Sequence, residues 1–351
     1  MDTNTYFHRV QAQTPTRFWI NNVTIREAQL AIEAGACGCT LNPSYTWKMM
    51  EDDNEKSYVY GILDRILKDE KDDNEAVIML QKELAVNIAR LFMPIYKASG
   101  GHAGFVSIQG DPFHEDLDTI LRNARFNREA EPNIMAKIPV TKDGIMAIEI
   151  LAAEGVPINA TEVMAVKQAL DVCEAYMKAT NGIKESAPIY YSHITGIYDE
   201  YLQNYVKENR IDVSLDALWQ SGISIAKKTY WMVKEKGYPV GFIGGGARGL
   251  HHFTEMVGAD CVVTINWKGT ADKLIEQNPP VIQRFLQPTP YSVVDELTEK
   301  VEDYRRGYYV NSITEEEYED FGPVVLFRKM FEGAWLKTIS AVKNRRTELN
   351  L

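Results

Sequence analysis

Four cysteines in 351 residues are too few for a disulfide framework. Cys37-Gly38-Cys39 is not a zinc spacing, and Cys173 and Cys261 are isolated, so buried free thiols in a reducing compartment are expected. No apolar run approaches a membrane span, and the polar start Met1-Asp2-Thr3-Asn4 lacks the pattern of a secretion signal. The expected location is therefore cytoplasmic. Basic charge is also short: 38 Lys and Arg stand against 49 Asp and Glu, a formal net charge of -11. That balance argues against nucleic acid or an anionic membrane as a partner and leaves a small molecule, with a homo-oligomer left open. No Gly-, Ser- or Pro-rich linker divides the chain, so a single domain over residues 1–351 is expected. What remains is an ordinary globular profile, 45% hydrophobic and 25% charged.

Short apolar runs alternate with helical patterns along the chain. Strands are expected at residues 17–21, 38–42, 104–109, 133–141, 156–161, 187–194, 238–243 and 260–265. Helices are expected at 24–34, 76–99, 115–130, 143–154, 162–179, 215–235 and 247–257, with a terminal amphipathic helix at 324–344. Thr24, with Glu27 three positions on, marks a capping box, and Gly35 marks the stop. Residues 45–75 read as an irregular insertion whose two acidic stretches are solvated faces.

Eight strands alternating with helices predict an α/β fold, a single (β/α)8 TIM barrel over about residues 17–275. A C-terminal helical extension, about 276–351, would pack on it. A doubly wound open sheet is the alternative, because Gly244-Gly245-Gly246-Ala247-Arg248-Gly249 satisfies G-x-G-x-x-G between a strand and a helix. A dinucleotide fingerprint opens its own βαβ unit, however, whereas this run follows the seventh strand. In a barrel the loops after strands seven and eight commonly bind phosphate through N–H groups at a helix N-terminus. Gly245, Gly246 and Arg248 are therefore expected to hold an anionic group.

One lysine, Lys137, interrupts the apolar strand Asn133-Ile134-Met135-Ala136-Lys137-Ile138-Pro139-Val140. A buried lysine has its charged form destabilised, its pKa falls, and the neutral amine can form a Schiff base with a carbonyl. Counting alternate residues toward the strand ends gives a polar set: Asn21, Thr40, Asn42, Ser107, Gln109, Lys137, Asn159, Thr161 and Ser192. Barrel interiors are normally filled by branched apolar side chains, so polar groups converging at the C-terminal mouth mark an active site.

These residues resemble the transaldolases and the related fructose-6-phosphate aldolases. Thr40-Leu41-Asn42-Pro43-Ser44 resembles the family's T-T-N-P-S, and Lys82-Glu83-Leu84-Ala85-Val86-Asn87-Ile88 its K-L-A-V-N-I helix. Lys137-Ile138-Pro139-Val140-Thr141 resembles the Schiff-base strand, and Glu154-Gly155-Val156-Pro157-Ile158-Asn159-Ala160-Thr161 resembles E-G-I-x-x-N-x-T. Ile243-Gly244-Gly245-Gly246-Ala247-Arg248-Gly249 resembles M-G-A-S-F-R-N. The resemblance implies that Lys137 forms the imine. It implies that Asn42, Asn159, Thr161 and Ser192 contact donor hydroxyls, the imine or a relay water, and that Arg248 binds the substrate phosphate. The implied ligand is a sugar or sugar phosphate, with no metal and no organic cofactor.

The departures from the family's pattern fall at its proton-handling positions. Asn21 stands where the family has an aspartate, and Gln109 where the transaldolases have a glutamate and the fructose-6-phosphate aldolases a glutamine. Ile197 replaces a second phosphate arginine, and Gly246 a serine. An amide hydrogen-bonds but does not exchange a proton near neutral pH. The acid and base would then come from Asp111, Tyr191, His193, Glu162 or His251. A shift of specificity away from fructose 6-phosphate is expected. The alternatives are another Schiff-base lyase, such as a keto-acid or deoxy-sugar aldolase or a decarboxylase, and a catalytically weak sugar-phosphate-binding barrel.

Overall fold

Eight parallel strands close in chain order, the last pairing with the first. They are β1 (Arg17–Asn21), β2 (Ala36–Leu41), β3 (Val106–Gln109), β4 (Ile134–Pro139), β5 (Ile158–Val163), β6 (Ile189–Ile194), β7 (Gly241–Gly245) and β8 (Val262–Asn266). The computed structural model describes residues 4–351. The expected (β/α)8 barrel is therefore the observed one, and the open-sheet alternative is excluded by the β1–β8 pairing. No helix among the described residues is long and apolar enough to cross a membrane.

Parallel neighbours cannot be joined by a tight turn, so each needs a crossover, and helices supply it. The first crossover helix, Ile25–Glu33, starts with the expected capping box: Thr24 Oγ1 accepts from Glu27 N at 3.1 Å, and Glu27 returns the bond to Thr24 N at 2.9 Å. The crossover after β4 starts on Thr141, whose hydroxyl accepts from Gly144 N at 3.0 Å. A Cβ at residue 144 would lie 1.8 Å from the Pro139 carbonyl, so only glycine permits this tight exit from the lysine strand.

The lower barrel interior is packed by Trp19, Phe105, Met135, Ile243 and Val262. Above that layer the inward positions turn polar. Register places Gln109 beside Lys137 and Lys137 beside Asn159. The β5–β6 ladder is irregular between Ala160 and Val163, and Glu162 there has φ 64, a left-handed value unusual for glutamate.

Several elements differ from the sequence expectation. Residues 45–75 are not irregular: they hold helices Tyr45–Glu51 and Lys56–Ile66, which bury Tyr45, Met49, Leu63 and Ile66. The expected 215–235 helix is split into Leu215–Trp219 and Ser221–Glu235. The second piece restarts because Asp199 Oδ1 accepts from Ser221 Oγ and Gly222 N, both at 2.6 Å. Asp199 lies on a helix, Thr195–Asn209, that the sequence pattern left unassigned. The expected 247–257 helix shrinks to His251–Thr254.

The C-terminal helix, Gly322–Leu349, packs against the helices Asp73–Ala98, Thr195–Asn209 and Tyr45–Glu51 and against β5. Arg345 forks onto both oxygens of Asp64 at 2.6 and 2.7 Å, and Arg346 pairs with Asp73 at 3.0 Å. Trp335, fully buried, donates to Asn74 Oδ1 at 2.7 Å. These ties hold Phe327 and Phe331 over the barrel mouth.

Candidate active site

Lys137 projects from β4 into the barrel and is 8 % exposed. Burial lowers its pKa to about 8, against the opposing pull of Glu162. The Phe331 ring of the C-terminal helix lies 5.9 Å from Nζ. Asn21, Thr40, Asn42, Lys137, Thr161, Ser192, Gly245, Gly246 and Arg248 line one cavity of about 80 Å³, closed on one side by Phe327. Gln109 and Asp111 face Lys137 from an adjoining space of about 20 Å³.

Hydrogen bonds fix most of these groups. Asn159 donates to Ser107 Oγ at 3.0 Å and accepts from Ser192 Oγ at 2.7 Å, forming a buried polar row on the strands around the lysine. Asn21 accepts from Thr40 at 2.8 Å and donates to Asn266 Oδ1 at 2.9 Å. The Asn42 amide oxygen takes donors from Asn22, Ser44 N and Ser44 Oγ at 2.8, 3.0 and 2.6 Å. Its NH₂ is the group left to offer a ligand. The buried atoms near the lysine without a hydrogen-bond partner include Gln109 Oε1, Thr161 Oγ1, Glu162 Oε2 and both carboxylate oxygens of Glu115. Buried polar groups are almost always bonded, so orphans gathered at one place mark a position for water or ligand.

The five acid–base candidates separate cleanly. Asp111 is held in place: Oδ1 accepts from Phe113 N at 2.8 Å, and Oδ2 meets Asn74 Nδ2 at 2.7 Å and His114 Nδ1 at 2.8 Å. Tyr191 and His193 alternate with inward Ser192 and so point away from the interior. Tyr191 stacks on Phe242 at 5.1 Å, and burial pushes the pKa of His193 down to about 3. His251 stacks on Trp219 at 3.7 Å. Glu162 is the one brought to the lysine. It sits on β5, not on the helix expected to begin there, and its Oε1 accepts from Gln109 Nε2 at 2.8 Å. Burial raises its pKa, with Arg328 of the C-terminal helix opposing.

The anion site differs from its sequence reading. Gly244 and Gly245 are strand residues, and no helix begins at the glycine run. The N–H groups of Arg248 and Gly249 both donate to His252 Nδ1 at 3.2 Å, and His252 Nε2 donates to Asp199 Oδ2 at 2.9 Å. The Arg248 guanidinium, which lines the cavity, is paired with Glu200. Ile197, where a second arginine was absent, is buried.

Asp199, His251 and His252 come close enough together to suggest a metal site. Both ring nitrogens of His252 are already engaged, and Asp199 Oδ1 already takes two donors. The cluster therefore serves as a pin for the Arg248 loop. A larger cavity, about 650 Å³, opens at the opposite end of the barrel among Arg17, Trp19, Tyr190 and Tyr230. Its thiols Cys37 and Cys261 are pushed up by burial, away from nucleophilic character.

Sequence reasoning missed the second layer over the mouth, formed by Glu115, Arg328, Phe327 and Phe331. Arg328 pairs with Glu115 at 3.0 Å. No local pattern marks these four, which come from the loop before the helix Leu117–Arg128 and from the C-terminal helix.

Residues 18–316 match the family model described as transaldolase/fructose-6-phosphate aldolase. The chain is 26% identical to the transaldolase of Neisseria gonorrhoeae over 230 residues, 61% of this chain and 62% of that protein. It is 28% identical to the transaldolase of Mycobacterium ulcerans over 208 residues, 56% of this chain and 55% of that protein. A match to Transaldolase 2 of a Nostoc species reaches 31% over 134 residues, 37% of this chain and 33% of that protein. The chain thus spans only about half to three-fifths of the first two relatives. On the match over residues 18–316, the chain belongs to the transaldolase/fructose-6-phosphate aldolase family.

Proposed function

We propose that this protein is a class I aldolase or transaldolase that forms a Schiff base through Lys137 with a ketose and makes or breaks a C–C bond. The observation that carries this reading is a lysine buried inside a barrel strand, with its pKa lowered to about 8, among hydroxyl and amide groups. The Lys137 amine adds to the ketone, water leaves, and an iminium forms. A base then takes the proton of the hydroxyl on the carbon next but one to the imine carbon. The bond from that carbon to the one beside the imine carbon breaks, its electron pair flows to the iminium nitrogen to give an enamine, and an aldehyde departs. The enamine is protonated, or it adds to a second aldehyde, and water releases the lysine.

Asn42, Asn159 and Ser192 would orient the donor hydroxyls, and Thr161 and Gln109 would hold a water. Arg248 would meet an anionic group on the substrate, with Gly245 and Gly246 allowing close approach. Its partner Glu200 must then give up the guanidinium, and no second arginine is present to help. The cavity at the lysine is small. Both features support a specificity moved away from fructose 6-phosphate.

A binding-only barrel is the second reading, supported by the amides at Asn21 and Gln109. Borohydride reduction followed by mass spectrometry separates the two. The panel is ketoses, phosphorylated ketoses and keto acids, and the expected result is a covalent adduct on Lys137 with at least one ketose. An adduct with keto acids alone would move the reading to another Schiff-base lyase. No adduct with any member would end the Schiff-base reading.

A further inference from the structure

We infer that Glu162 is the acid–base residue of this site, taking the place of the carboxylates absent at Asn21 and Gln109. The inference rests on the Schiff-base reading above. Glu162 is fully buried, yet only Oε1 has a partner, the Gln109 amide at 2.8 Å. Oε2 is an orphan, as are Gln109 Oε1 and Thr161 Oγ1. Thr161 lines the lysine cavity and Gln109 the adjoining space, and Glu162 reaches them through its bond to Gln109. The Glu162 charge acts on Lys137 and favours its protonated form.

The backbone is built for this placement. Alternation along β5 would send residue 162 outward, between strand and helix, once Thr161 points in. The positive φ at Glu162, together with the slip of the β5–β6 ladder, brings its side chain to Gln109 instead. Strained backbone that gathers at a functional site is held there by its surroundings. The contact also accounts for the amide at Gln109. A glutamate there would set two carboxylates against each other, whereas glutamine donates a hydrogen bond and leaves one carboxyl free to exchange a proton.

Glu115 differs in facing Arg328 directly, at 3.0 Å, whereas Glu162 is bonded to Gln109. The groups facing Glu162 are Gln109 on β3, Lys137 on β4, Arg328 on the C-terminal helix, and Glu115 and Glu319 from the flanking loops. Burial keeps the carboxyl more readily protonated than an exposed one, and Lys137 and Arg328 act against this. In the retro-aldol direction the carboxylate accepts the hydroxyl proton as the C–C bond breaks. The resulting carboxylic acid then returns a proton to the enamine carbon, and the cycle balances with no further reactant.

The test uses dihydroxyacetone, which forms the same imine and enamine without an acceptor. In D₂O, enamine formation exchanges the carbon-bound hydrogens, read by proton NMR, while borohydride reports the imine on the same samples. Glu162→Gln should keep the adduct on Lys137 and lose exchange by ~10²-fold or more, the usual scale of a general base. It should also flatten the pH profile of exchange, and Glu162→Asp should recover part of the rate. Unchanged exchange and pH profile in Glu162→Gln would overturn the role. If Glu162→Gln does not fold, Glu162→Asp carries the test. A lowered exchange rate with a shifted pH profile supports the role, and an unchanged rate and profile overturn it. Absence of an adduct in the unmodified protein with dihydroxyacetone and with every member of the panel above would instead remove the Schiff-base reading itself.

Discussion

Lys137 shows why a single residue can be worth a fold's discomfort. Its pKa falls from 10.5 to about 8 on burial, so the unfolded chain binds its proton more tightly than the folded one. Between pH 8 and 10.5 the unfolded state holds more protons, and stability rises with pH across that window. Below pH 8 the whole penalty, up to ~3 kcal/mol at 1.36 kcal/mol per unit, is present. Lys137→Met should therefore raise the melting temperature at pH 7 while abolishing borohydride trapping. A melting temperature that falls would show that the amine is held by favourable contacts.

At the level of elements, the loop after β3 and the C-terminal helix are joined through one chain of bonds. Trp335 donates to Asn74, Asn74 donates to Asp111, and Asp111 holds Phe113 N and His114. Asp111 was a catalytic candidate from sequence, and its oxygens are occupied by this scaffold. Asp111→Asn turns an accepting oxygen into a donor facing donors, which costs about 1–3 kcal/mol for a buried unsatisfied group. The expected outcome is a lowered urea midpoint with trapping of Lys137 intact. Loss of trapping in a folded Asp111→Asn protein would return Asp111 to the chemistry.

Across the whole molecule, one buried histidine, shifted by burial alone, weighs against stability in acid. His193 has no bonded ring nitrogen, and burial lowers its pKa to about 3 from 6.5. Below pH 6.5 the unfolded chain takes up a proton that the folded one refuses, so stability falls as pH drops toward 3. The slope from this one site is about 1.4 kcal/mol per pH unit. His193→Leu removes it, and the acid unfolding midpoint, followed by circular dichroism, should move to lower pH. A midpoint that stays put would mean that another group controls acid unfolding.

Strand count, barrel closure and the inward polar set were legible in the sequence because they follow from period-two alternation, a property of neighbouring residues. Lys137 stood out for the same reason, as one charge inside an apolar strand. The helices within residues 45–75 were hidden by acidic stretches that mask a short apolar face. Only the tertiary structure decided what each polar group meets. Gln109 finds Glu162 53 positions away, Asp111 is bound to Asn74 37 positions away, and Arg248 is taken by Glu200 48 positions away. The turn of Glu162 into the site needs a left-handed backbone that glutamate does not favour by itself. Such a conformation is imposed by the surrounding barrel and leaves no mark in local sequence. The residues lining the cavity at Lys137 could thus be read along the chain, but what each of them is bonded to is set by contacts between distant segments.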